Sequence, residues 1–407
     1  MYGLIGKKLS HSFSPQIHKE LASYDYKLFE IEENQLESFI KTADFNGLNV
    51  TIPYKKAVIP YLTEISETAQ KIGSVNTIIK RADGSLYGEN TDYYGFMYTI
   101  KSSKIVIENK KCLVLGSGGA SLTVTSVLKD LNAKETIIIS RSGKDNYKNI
   151  TKHSDAEIII NTTPVGMYPN CGKAPVNLKL FPNCKAVFDL IYNPFKTKLL
   201  LEAEDLNIPG FNGLKMLTAQ AKKACELFTD TEIPDSKTEE IKLKLQKQLM
   251  NIVLIGMPGC GKSTVGKIIS EKLYRDFIDT DSLIEKSYGK KIPEIFSEKG
   301  EAFFRDLEEK EVYSAGKENS KVIATGGGAI LRKENIHSLR QNAVIVFINR
   351  KLDYLETKGR PLSSDNKNLE QIYTARLPVY KAIADLEVNS QSTAEQTADL
   401  IIKELKI

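Results

Sequence analysis

The stretch GMPGCGKST at residues 256–264 constrains the fold of this chain more than any other feature. Gly256, Gly261, Lys262 and Ser263 satisfy the spacing GxxxxGK[ST], between an apolar strand, NIVLIG, and a helical run, TVGKIISEKL. Such a loop needs a buried strand that delivers the chain to a helix N-terminus. Glycines let successive backbone N–H groups curl around phosphate oxygens, and the helix end adds positive potential. Lys262 then reaches the terminal phosphates and the Ser263 hydroxyl suits Mg2+, with Gly259, Cys260 and Thr264 completing the cradle. The loop starts at residue 256 of 407, so much of the chain precedes it. One hydrophobic core rarely grows beyond ~250–300 residues, and two or three domains are expected.

With 41% hydrophobic and 26% charged residues the composition is that of a soluble globular protein. Cys112, Cys171, Cys184, Cys225 and Cys260 form no CxxC pair, which argues against zinc or a disulfide framework and for reduced thiols. The start MYGLIGKKLSHS lacks the signature of an export signal, and no apolar run approaches the ~20 residues of a membrane span, so a cytoplasmic protein is expected. A net charge of +5 without Lys/Arg blocks points to anionic small ligands rather than nucleic acid or membrane. Oligomeric state is not readable.

Apolar runs alternate with helical patterns, which predicts an α/β protein of parallel sheets covered by helices. Residues 1–100 hold the strands YGLIG, LNVTIP and VNTIIK; residues 101–211 hold KCLVLG, ETIIIS, AEIIINT and AVFDLIY in a Rossmann-like series. NGLKMLTAQAKKACELF (212–228) reads as an amphipathic helix, and 229–250 as a charged linker helix with a capping box at Ser236 and Glu239. Residues 251–407 form the phosphate-loop domain.

Within that domain, Asp279 and Asp281 in FIDTDSLIE stand two apart, on one side of an extended segment, where carboxylates can hold metal or accept a hydroxyl proton. Arg305 and Glu308 lie three apart on one helical face, a guanidinium oriented by a carboxylate. Gly326, Gly327 and Gly328 end a strand and permit close ligand approach; Arg360 lies in a polar loop and Arg376 on a helix. Taken singly, each charge is more often a solvated surface group. Their order resembles shikimate kinase, of the nucleoside-monophosphate-kinase-like group, over nearly all of residues 250–407. The resemblance implies that Asp281, Arg305, Gly326, Gly327, Gly328 and Arg376 hold shikimate, that Asp281 activates the attacking hydroxyl, that Ser263 and Asp279 serve Mg2+, and that Arg360 closes onto the transferring phosphate. The segment LETKGRPLSSDNKN is shorter than the family's lid, and Lys358 is the nearest cation where a second lid arginine is usual.

In the second block, Gly116, Gly118 and Gly119 follow a strand in VLGSGGAS, a variant of the dinucleotide fingerprint. One strand later Arg141 stands where an NAD site prefers an acid, and an arginine accommodates a 2′-phosphate, so NADPH is expected. The first block offers Ser12, Ser14, Thr51, Lys55, Asn76 and Asp92. Reducing a ketone creates alkoxide charge and needs a proton donor within hydrogen-bond reach, a role open to a lysine beside an aspartate. Spacing alone does not bring Lys55 to Asp92, and turn-forming residues with solvated charges fit the same stretches. GLIGKKLSHSFSPQIH, NVTIPYK, SVNTI, NTDYYGF, GSGGAS, NTTPVGM, DLIYNP and NGLKMLTAQA together resemble shikimate dehydrogenase over about residues 1–230. The resemblance implies a catalytic pair of Lys55 and Asp92, a substrate site of Ser12, Ser14, Thr51, Asn76, Asp92 and Gln220, and Tyr192 closing the cleft. It also places NADP against Gly116, Gly118, Gly119, Ala120, Arg141 and Gly213, with Ser-Arg-Ser where the family has Asn-Arg-Thr, and makes helix 212–228 part of the first domain.

The expected function is two reactions in series: 3-dehydroshikimate and NADPH give shikimate, which with Mg-ATP gives shikimate 3-phosphate. One alternative is an NAD-using quinate/shikimate dehydrogenase joined to a kinase for another small polyol. Another is that one half is a non-catalytic nucleotide-binding module, against which Lys55, Asp92, Lys262, Ser263, Asp281 and Arg305 are all retained.

Overall fold

YGLIG, KCLVLG and NIVLIG each supply an inner strand of a separate sheet in the computed structural model, which describes residues 1–9, 12–355 and 366–407. The first sheet uses Tyr2–Gly6 (β1), Tyr26–Glu30 (β2), Gly47–Val50 (β3), Glu64–Ile65 (β4), Thr77–Lys80 (β5) and Leu86–Glu89 (β6) in the order β2-β1-β3-β5-β6-β4. Only β5 runs against its neighbours. Expected strand LNVTIP stops at Val50, because Tyr54 N closes a turn onto the Thr51 carbonyl at 2.9 Å.

The second sheet is wholly parallel: Lys111–Leu115 (β7), Glu135–Ile139 (β8), Ile158–Asn161 (β9), Ala186–Asp189 (β10) and Gly210–Phe211 (β11), in the order β11-β10-β9-β7-β8. Strands β7, β9 and β10 are apolar and nearly all buried, as expected where helices cover both faces. The chain leaves β7 toward β8 on one side and reaches β9 on the other, so the crevice beyond β7 is a topological switch point.

The third sheet, also parallel, uses Asn251–Ile255 (β12), Phe277–Asp279 (β13), Val322–Ala324 (β14), Ala343–Asn349 (β15) and Leu386–Asn389 (β16), in the order β13-β14-β12-β15-β16. Its core gathers Ile252, Leu254, Ile323, Val346, Phe347 and Tyr380. The first two sheets belong to one compact unit, residues 1–165, 174–192 and 202–244; the third belongs to another, residues 166–173, 193–201 and 245–407.

The charged stretch becomes the helix Asp235–Leu249, with Ser236 inside it rather than at its cap. The helix starts two residues earlier than that cap implies, directly after Pro234, and Glu239 pairs with Lys215 at 2.7 Å. All five cysteines are buried and free. Among the described residues no helix is long and apolar enough to cross a membrane.

Candidate functional sites

In the first unit, two helices bring distant residues together. Thr91–Ser103 and Leu214–Thr229 cross so closely at Gly95 that a side chain there would meet the Met216 carbonyl at 2.6 Å. The crossing sets Thr91 Oγ1 3.4 Å from Gln220 Oε1, across 129 positions of sequence. Asn90 caps the first helix by accepting from Tyr93 N and is itself tied to Ser74, which places Asp92 in the first helical turn. Lys55 arrives from the turn after β3, its carbonyl accepting from Val75 N at 2.8 Å.

Lys55 Nζ donates to Asp92 Oδ2 at 2.5 Å. With 29% and 18% of their side chains exposed, both groups remain reachable by a ligand. Asn76 is buried, its Oδ1 accepting from Thr91 N at 2.7 Å. Ser12 Oγ donates to Ser14 Oγ at 3.1 Å. Thr51 continues from β3 with its N–H on the Ile5 carbonyl, and Tyr192 lays its ring edge-on to Phe13 with centroids 5.8 Å apart.

The glycine turn follows β7. Gly116 has φ of 107°, in the region that favours glycine, and a Cβ there would meet Thr162 Oγ1 at 2.8 Å. Gly118 and Gly119 instead face open space and lead into the helix Gly119–Asp130, as a backbone cradle for phosphates requires. Ala120 lies in that first turn, and Arg141 is exposed just beyond β8. Gly213 needs to be glycine for packing: a Cβ would fall 2.0 Å from the Leu190 carbonyl oxygen.

In the second unit the phosphate loop follows β12, with Gly256, Gly259 and Gly261 all at positive φ and helix Lys262–Leu273 beginning at the lysine. Lys262 is buried and donates to the carbonyls of Gly256 and Met257, each at 3.0 Å. Ser263 Oγ donates to Asp279 Oδ2 at 2.6 Å, so the proposed metal-facing oxygens converge. Their all-oxygen chemistry fits a hard divalent cation.

The expectation that Asp279 and Asp281 share one side of an extended segment is corrected. β13 ends at Asp279, whose carboxylate caps helix Thr280–Tyr288 by accepting from Ser282 N at 3.1 Å, and Asp281 lies in the first helical turn. Aspartate is among the preferred N-cap residues, and here that cap ends the strand. Both still line one cavity of ≈ 430 Å³, together with Lys262, Arg305, the three glycines and Arg376.

Arg305 Nη1 donates to Glu308 Oε2 at 2.7 Å, and Nη2 to Glu301 Oε1 at 2.9 Å. Burial is the largest influence on both and favours their neutral forms. For Glu308 burial prevails over Arg305 and raises its carboxyl above the usual range; for Arg305 the attraction of Glu308 and Glu301 prevails, and the guanidinium stays charged. Glu308 Oε2 thus accepts from a charged guanidinium. The glycine turn passes directly over it: a Cβ on Gly326 would fall 2.6 Å from Asp281 Oδ1, and one on Gly327 would meet Pro258 at 2.6 Å. Tyr380 is a residue that sequence reasoning misses. Four residues after Arg376 on helix Asn366–Ile383, its hydroxyl lies 3.0 Å from the Gly256 carbonyl and 2.5 Å from that of Gly327, joining phosphate loop to glycine turn. The i,i+4 spacing from Arg376 is the signal that could have found it. Arg360 and Lys358 lie outside the described residues.

Known proteins fall on the same division. Residues 4–78 match the family described as shikimate dehydrogenase substrate binding domain, and residues 258–406 the family described as shikimate kinase. A shikimate dehydrogenase (NADP(+)) of Clostridium beijerinckii is 41% identical over 257 residues, 58% of this chain and 95% of the relative. Among solved structures, a chorismate mutase/shikimate 5-dehydrogenase fusion protein from Clostridium acetobutylicum aligns with a TM-score of 0.58 at 38% identity, over 60% of this chain and 97% of that one. Shikimate 5-dehydrogenase from Thermus thermophilus, in complex with NADP(H) and shikimate, aligns with a TM-score of 0.55 at 29% identity, over 60% and 98% of the two chains.

Proposed function

We infer the function from a plain premise: the chain belongs to the shikimate dehydrogenase family, and residues 258–406 give it a shikimate kinase domain as well. We propose that it reduces 3-dehydroshikimate to shikimate with NADPH and phosphorylates shikimate to shikimate 3-phosphate with ATP. The domains would be residues 1–100 completed by 212–228 for substrate, 101–211 for NADP, a linker helix within 229–250, and 251–407 for the kinase. The observation that carries the first reaction is the Lys55–Asp92 contact at 2.5 Å, made between residues 37 apart in sequence.

Bound NADPH supplies the hydride that adds to the carbonyl carbon. Lys55 Nζ donates a proton to the oxygen as the carbon–oxygen double bond becomes single, and Asp92 holds the ammonium in place for that transfer. Ser12, Ser14, Thr51, Asn76 and Gln220 bind the hydroxyls and carboxylate of the substrate, and Tyr192 shields them from water. The open faces of Gly118 and Gly119 receive the pyrophosphate, and Arg141 pairs with the 2′-phosphate.

In the kinase domain, bound ATP supplies the phosphoryl group. Asp281 accepts the proton of the attacking hydroxyl, Arg305 and Arg376 hold the carboxylate end of shikimate, and Lys262 offsets charge on the phosphates. Ser263 and Asp279 hold the divalent ion. Arg360 is assigned the lid role by resemblance. Purified protein given 3-dehydroshikimate with NADPH, and separately shikimate with Mg-ATP, tests the reading by product mass. Formation of shikimate and of its monophosphate supports it; preference for quinate and NAD, or for another polyol, overturns it.

A further inference from the structure

A hydrogen-bond chain runs through Tyr26, Asn49, Thr77 and Thr91, four residues to which the proposed chemistry gives no role. Tyr26 O–H donates to Asn49 Oδ1 at 2.6 Å. Asn49 Nδ2 donates to Thr77 Oγ1 at 3.1 Å. Thr77 Oγ1 lies 3.2 Å from Asn76 Oδ1 and 3.1 Å from Thr91 Oγ1, and Thr91 Oγ1 in turn faces Gln220 Oε1 at 3.4 Å. The chain therefore touches Asn76 and Gln220, two residues assigned to substrate.

Its polarity is fixed by two backbone groups, one that can only donate and one that can only accept. The Thr91 backbone N–H must donate, so the Asn76 atom 2.7 Å away is its oxygen. Asn76 Oδ1 is thereby occupied, and the amide nitrogen is the end left to face a ligand. Gln220 is set from the opposite side: the Leu217 carbonyl can only accept, so the Gln220 atom 3.0 Å from it is Nε2, which keeps a second hydrogen, while Oε1 faces the Thr91 hydroxyl. Asn49 sits at the hub with 5% of its surface exposed, and His18 stacks on Tyr26 with 4.0 Å between centroids. Buried polar networks of this kind specify one arrangement when every member is satisfied.

We propose that Asn49, Thr77 and Tyr26 are positioning residues of the dehydrogenase site: they turn the amide N–H groups of Asn76 and Gln220 toward acceptor oxygens of the substrate. This rests on the dehydrogenase reading above. It makes substrate affinity depend on a hydroxyl at position 77 that never touches substrate, while dinucleotide affinity does not.

Thr77→Val keeps the shape and removes the hydroxyl; Thr77→Ser returns it. Steady-state kinetics with 3-dehydroshikimate and NADPH should give Thr77→Val a KM for 3-dehydroshikimate roughly tenfold higher, the worth of about one neutral hydrogen bond, with the KM for NADPH changed less than about twofold. Thr77→Ser should recover most of the loss. Tyr26→Phe should move the same constant in the same direction, and decides alone if Thr77→Val fails to fold. A folded Thr77→Val or Tyr26→Phe with the parent's KM for 3-dehydroshikimate overturns the proposal, as does an equal rise in both KM values. Failure of the unaltered protein to reduce 3-dehydroshikimate would instead overturn the dehydrogenase reading.

Discussion

Gly328 passes so close to Arg305 that a Cβ on the glycine would stand 2.5 Å from both guanidinium Nη atoms. A free arginine would swing aside, but this one is pinned by Glu308 and Glu301. Gly328→Ala must therefore displace the side chain that the kinase reading assigns to shikimate. The kcat/KM for shikimate phosphorylation should fall roughly tenfold or more, since small misplacements of binding groups cost that much. 3-Dehydroshikimate reduction should be unchanged, which assays of both activities on one preparation would check.

Glu308→Gln keeps the length of the side chain and removes its charge. Arg305 then loses a charge-assisted bond, about 1.5–3 kcal/mol, in a site where Glu308 is 1% exposed. The expected outcome is a higher KM for shikimate with the KM for ATP nearly unchanged, measured by ADP formation.

Arg141 is exposed beyond β8, at the place where a dinucleotide's ribose is read. Arg141→Ala should weaken NADPH and leave NADH almost unaffected, lowering the preference between them by about tenfold or more. Parallel kinetics with the two cofactors test this, and equal use of both by the parent protein would contradict it.

His18 is buried among Tyr24, Tyr26 and Phe228, and burial depresses its pKa to about 3. Below the ordinary value of 6.5 the unfolded chain takes up a proton there that the folded chain refuses, so stability falls as pH drops from about 7 toward 3. Between pH 7 and pH 5 the loss is about 2 kcal/mol. His18→Gln, even if less stable at neutral pH, should flatten that dependence in thermal melts of the full chain.

What is legible in the sequence follows from how local each feature is. The phosphate loop is nine consecutive residues whose glycine spacing and flanking strand and helix state their own geometry, and the structure forms it as read. The Arg305–Glu308 pair is one helical turn and is equally readable. Lys55 and Asp92 emerge only through family resemblance, because nothing in spacing joins a turn after β3 to a helix start 37 residues on. Asp279 misleads because a short polar residue both continues a strand and caps a helix, and here the cap prevails. The Asn49 and Thr77 chain is invisible in the sequence: its bonds cross up to 129 positions and depend on how two helices pack.

The claim most exposed to test is that one polypeptide carries two chemically independent sites. Lys55→Ala and Lys262→Ala, each purified and shown folded by its melting curve, should be assayed for NADPH oxidation and for ADP formation. Lys55→Ala should lose about 100-fold or more in the first and keep the second, and Lys262→Ala should do the reverse. If either folded variant is silent in both reactions, the two-site account is wrong.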